Sequence, residues 1–89
     1  MTIEIRIDVP ADPRFVVMVR ALAAHGARHV GCNDADAVEF ASRVEDSVRE
    51  QFARRGSGAS VSVTVRQTRA ALEVVIGTPP GARTVSLVI

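Results

Sequence analysis

The hydrophobic period of this 89-residue chain changes twice, and those changes constrain its fold more than any other feature. From Ile3 to Val9 apolar and polar residues alternate, with Ile3, Ile5, Ile7 and Val9 on one face and Glu4, Arg6 and Asp8 on the other. Period two in β-branched residues predicts a half-buried strand, and Pro10 stops it. Asp12 then stands directly before Pro13, the order of an N-cap followed by proline at the first helical position. Apolar residues now recur every three or four positions, at Phe15, Val16, Val19, Leu22, Ala23 and Ala27. That is one stripe of a helix ending near Ala27, with Gly31 and Cys32 in the connection. Asn33 opens a second helix, with Asp36 in the capping-box position. Its stripe is Ala37, Phe40, Ala41, Val44, Val48, Gln51 and Phe52. Asp34 and Asp36 in the first turn and Arg54 and Arg55 in the last complement the helix dipole. Gly56 is the expected C-cap and Ser57-Gly58 the turn.

From Ala59 the period returns to two. Val61, Val63 and Val65 alternate with Ser60, Ser62, Thr64 and Arg66; Leu72, Val74 and Ile76 follow after a connection around Gln67-Thr68-Arg69. Gly77-Thr78-Pro79-Pro80-Gly81 is a loop by composition. Arg83 to Ile89 is a last strand with Val85, Leu87 and Ile89 in phase. The order β-α-α-β-β-β predicts one α+β domain over residues 1–89, a two-layer sandwich with two helices on one face of a four-stranded sheet. All three Phe fall on the inward helix faces, as core rather than ligand box. The other sheet face, from Glu4, Arg6 and Asp8 through Arg66 and Glu73 to Ser86, is polar enough to meet water. The terminal Leu87-Val88-Ile89 must be covered, either by a self-associating edge or by the chain's own helix.

Composition excludes several functions. All eleven basic residues are Arg, against ten acidic ones, and the formal net charge is +1. A chain without Lys has no P-loop lysine and no Schiff-base chemistry. Three aromatics provide no stacking platform for single-stranded nucleic acid, and near-neutral charge is unlike a phosphate-backbone binder. The lone Cys32 closes no internal disulfide, and with His25 and His29 it falls short of a closed zinc site. Cys32 reads as partly buried packing, and the His pair as a solvated C-terminal turn. No apolar run reaches the roughly 18 residues of a membrane span, and the start lacks signal-peptide form. A cytoplasmic chain with neither membrane nor nucleic-acid partner is expected.

The strand ending in proline, then Ala11-Asp12-Pro13-Arg14-Phe15 and a helix carrying Val19-Arg20, resembles the N-terminal segment of the anti-sigma-factor serine kinases, of the histidine-kinase-like GHKL ATPase fold. In that family the second helix carries an N-box, a Glu followed four residues later by the Asn that holds Mg²⁺ of bound ATP. Val44-Glu45-Asp46-Ser47-Val48-Arg49 occupies the corresponding helix. Glu45 matches the family Glu, and Arg49 stands where the Asn belongs. The family's Asp-x-Gly-x-Gly segment, whose Asp recognises the adenine amino group, corresponds to Ile76-Gly77-Thr78-Pro79-Pro80-Gly81, where Gly81 alone fits the best register and no acidic residue is present. The glycine-rich lid beyond it is missing. The resemblance thus implies a degenerate nucleotide site at Glu45, Arg49, Gly77 and Gly81.

Chemistry supports the loss. Mg²⁺ needs oxygen ligands, and a guanidinium removes one and adds a repelling charge. Glu45 and Arg49 also form a favourable i,i+4 pair worth about 0.3–0.5 kcal/mol, and a plain surface pair is the preferred reading; the alternative is that Arg49 grips an anion bidentately. The expectation is a non-catalytic, cofactor-free and metal-free regulatory module. The resemblance implies a bacterial homodimer that binds a sigma factor or its antagonist in transcriptional signalling. The alternatives are residual ATP binding and serine phosphotransfer through Glu45 and Arg49, and a structural dimeric subunit without a signalling role.

Overall fold

A computed structural model describes residues 3–56 and 58–88. Its elements are β1 (Ile3–Pro10), α1 (Arg14–His29), α2 (Asp34–Arg55), β2 (Ser60–Gln67), β3 (Ala71–Ile76) and β4 (Arg83–Val88), in the expected α+β order. Ser57 of the expected turn and Ile89 of the last strand lie outside the described residues.

Local chemistry sets the helix boundaries. Pro13 already has helical dihedrals (φ −51°, ψ −27°), so the capping acceptor is one residue earlier. Asp12 Oδ1 accepts from the Arg14 N–H at 2.9 Å, the N-cap bond to the second helical residue. Arg14 closes over the same carboxylate with its guanidinium, at 2.7 Å from Oδ2. Together these donors hold the Asp12 carboxyl below its ordinary pKa. The α1 helix runs to His29, two residues past the expected end at Ala27. It stops in a Schellman arrangement. Gly31, at φ +96°, donates to Arg28 O at 3.0 Å, and Cys32 N–H reaches Ala27 O at 3.1 Å. Asn33 caps α2, its Oδ1 accepting from Asp36 N–H at 2.8 Å. At the far end the Gly56 N–H donates to Phe52 O at 3.0 Å.

The strands form an antiparallel meander in the order β1-β2-β3-β4. The register places Ile7 opposite Val63, Val63 opposite Ile76, and Val74 opposite Val85, so the valine-rich faces make one apolar surface. Helix α2 lies across β2, β3 and β4, while α1 lies against α2 and β3. All seven residues of the α2 stripe are buried. Phe40 has no exposed surface, and a fully buried side chain of that kind contributes about 1.5–3 kcal/mol. Phe52 is buried and Phe15 packs at the core edge. On the outer sheet face Arg66 sits between Glu4 (3.0 Å) and Glu73 (3.8 Å), linking three strands at an exposed position worth little in stability.

Two expectations about the core need correction. Only Val9 of the β1 apolar face is buried; Ile7 is half-buried, and Ile3 and Ile5 are 53% and 59% exposed. Leu22, assigned to the buried α1 stripe, is 46% exposed. Both follow from the position of the helix layer, which is centred on β2–β4 and leaves the first half of the edge strand uncovered. At the opposite edge Leu87 is partly buried against the core and Val88 is exposed.

Candidate functional site

Helical geometry divides the polar residues of α2 between two flanks of its buried stripe. Glu45 and Arg49, one turn apart, face α1. Glu45 Oε2 takes the Arg49 guanidinium at 3.0 Å, and its Oε1 takes Arg20 of α1 at 3.2 Å. The Glu45 side chain is half-buried between two guanidinium groups and links the two helices. Arg49 also borders a shallow groove of about 380 Å³, lined otherwise by Ala11, Pro13, Val16, Phe52 and Ala53. An anion bound there would compete with Glu45 for Arg49, and the remaining lining supplies no second cation.

The other flank carries Glu50 and Arg54 and faces β4. Glu50 Oε1 accepts from Arg83 at 2.9 Å, with Arg54 at 3.8 Å. The β3–β4 loop, residues 77–82, docks on the same end of α2. Arg55 donates to Thr78 Oγ1 at 3.3 Å. Gln51 Nε2 donates to Gly81 O at 2.7 Å, and the Gly77 N–H donates to Ser62 O at 2.7 Å. Gly77 has φ +92°, and a Cβ there would lie 3.0 Å from Gln51 Oε1. Both the backbone angle and the close approach require glycine.

The four residues singled out from the sequence thus occupy two places. Glu45 and Arg49 form one ion pair on the α1 side; Gly77 and Gly81 belong to the loop, joined to α2 through Gln51. The loop passes directly into β4 at Arg83. Gln51 was legible in the sequence only as an odd polar member of an apolar stripe. The structure gives that oddity its reason: a buried amide holds the loop.

His25 and His29 are exposed on the last turns of α1, and Cys32 is half-buried against the core. The two histidines border a groove with Ile3, Ile5 and Val65. Met18 and Leu22 continue the same helix strip toward its start, and both are exposed. This apolar flank is the surface that sequence reasoning missed. Its signal was the width of the α1 apolar arc, which takes in Val17, Met18 and Leu22 beside the buried stripe and exceeds what one sheet contact covers.

Among the described residues no helix is long and apolar enough to cross a membrane. No protein-family model matches the chain, and no curated protein matches it.

Proposed function

We propose that the chain is a non-catalytic regulatory module that works by binding protein. It resembles an anti-sigma factor whose nucleotide site is lost, and it acts as a homodimer in the bacterial cytoplasm. The observation that carries the reading is the Glu45–Arg49 pair at 3.0 Å. At the position where the resemblance calls for a magnesium-binding amide oxygen, a cation is satisfied by the neighbouring carboxylate. Two further features support it. The loop corresponding to the adenine-recognition segment has no carboxylate, and its Gly81 carbonyl is engaged by Gln51.

Calorimetric titration with ATP and ADP, each with and without Mg²⁺, tests the loss of the site; no binding heat is expected, and micromolar affinity would overturn the reading. The protein-binding half is tested by co-purification from the native host. Recovery of a sigma factor or its antagonist is expected, whereas a structural subunit would bring down neither.

A further inference from the structure

We infer that β1 is a homodimer interface, at which two copies join their edge strands antiparallel about a twofold axis midway between their two Ile5 residues. This gives the proposed homodimer its contact surface and depends in no way on the nucleotide argument.

Among the described residues β1 pairs with β2 alone, so its outer row of backbone N–H and C=O groups offers a template for another strand. Ile3 and Ile5 sit beside that row with more than half their surface exposed. The flank of α1 above them presents Met18 and Leu22, 41% and 46% exposed, and then His25 and His29. A twofold axis perpendicular to the sheet keeps both helix layers on the same side. The two α1 flanks then face each other across the junction, and isoleucines of both copies lie beneath.

Charge selects the register. Under this symmetry each residue must oppose one on the same sheet face, so one residue lies at the axis facing its own copy. With the axis at Ile5, Glu4 opposes Arg6 of the second copy, Arg6 opposes its Glu4, and Ile3 opposes its Ile7. Both cross-strand charge pairs are then favourable, a condition that adjacent strands reward. An axis at Glu4 sets Glu4 against itself. An axis at Arg6 sets Arg6 against itself and Glu4 against Asp8. An axis at Ile7 joins Arg6 to Asp8, but it centres the contact toward Val9, which the monomer already buries, and carries Ile3 past its end. Only the Ile5 register combines opposite charges with cover for the exposed residues. The β4 edge provides no such self-complement, and pairing β1 to β4 would be a heterologous, head-to-tail contact and not a twofold dimer.

Sedimentation equilibrium of the full chain at about 100 µM, a concentration that reports micromolar association, is expected to show a dimer. Ile5→Arg is expected to weaken it about 30-fold or more, as loss of a central anchor does. Because Ile5 is exposed in the monomer, the far-ultraviolet circular dichroism should not change. The register is read separately by cysteine cross-linking in a Cys32→Ser background. Ile5→Cys places two Cβ atoms about 5 Å apart across the axis, near enough to oxidise to a disulfide. Ile7→Cys leaves its two copies about 14 Å apart along the strands and should stay reduced. A monomer at this concentration, a dimer indifferent to Ile5→Arg, or cross-linking at position 7 in place of 5 would each overturn the inference. None of these results bears on nucleotide binding, which the titration above decides alone.

Discussion

The side-chain amide of Gln51, 4% exposed on the inner face of α2, donates to the backbone carbonyl of Gly81 at 2.7 Å, across thirty residues of sequence. Its carbonyl end lies against Gly77 at the other side of the same loop. One buried polar group thus bonds one end of the β3–β4 connection and packs closely against the other.

Gln51→Leu removes the donor while keeping most of the volume, and an expected loss of about 1 kcal/mol corresponds to one hydrogen bond. Gly77→Ala combines a positive φ, costing about 1–2 kcal/mol for an L-residue, with displacement of Gln51. It should be the costlier change. Urea unfolding of the two single variants and the double variant should show coupling of at least about 0.5 kcal/mol, as for residues in contact. Strict additivity would mean that the two do not act on one another.

Two glycines of the α1 terminus should respond in opposite senses to alanine. Gly26 lies inside the helix, and a Cβ there would meet Leu72 Cδ2 at an ordinary 3.5 Å. Gly26→Ala is expected to stabilise by about 0.5–1 kcal/mol. Gly31 adopts φ +96° with open space around it, so Gly31→Ala meets backbone strain alone and should destabilise by about 1–2 kcal/mol. Thermal melts that moved in the same direction for both would contradict this assignment of the Schellman terminus.

Acid should loosen the start of α1. The Arg14 guanidinium, followed by its backbone N–H, lowers the Asp12 pKa in the folded chain. A carboxylate with a depressed folded pKa contributes stability that is complete above the unfolded value of about 3.9 and is lost as pH falls through the folded value. A carbon-13 titration should therefore find the Asp12 midpoint below that of an unstructured aspartate. Arg14→Ala should move it upward, and a midpoint unchanged by that substitution would remove Arg14 as the cause.

Restoring one residue should not restore a nucleotide site. Arg49→Asn returns the amide expected from the resemblance and breaks the 3.0 Å pair with Glu45. The pair is partly exposed, so the stability change should stay under about 1 kcal/mol. Titration of this variant with Mg-ATP should still give no binding heat, because the β3–β4 loop has no carboxylate for the adenine amino group. Micromolar binding by the variant would show that Arg49 alone closes the site.

The sequence by itself determined the element order, the caps at Asp12 and Asn33, and the whole buried stripe of α2 from Ala37 to Phe52. These depend on interactions within a few residues of the chain, where periodicity and side-chain-to-backbone bonds act locally. Periodicity also assigned Ile3 and Ile5 to the helix-facing side of the sheet, and that face is correct. How far the helix layer extends over that face is set by the docking of α1 and α2 on one another and on β2–β4. No local pattern encodes that span, so only the tertiary structure revealed the uncovered isoleucines and the exposed Leu22. The same holds for Glu45, Arg49, Gly77 and Gly81. Spacing along one helix gathers the first two, but which flank of α2 meets α1 and which meets the loop is decided by packing, and packing sets the two pairs apart.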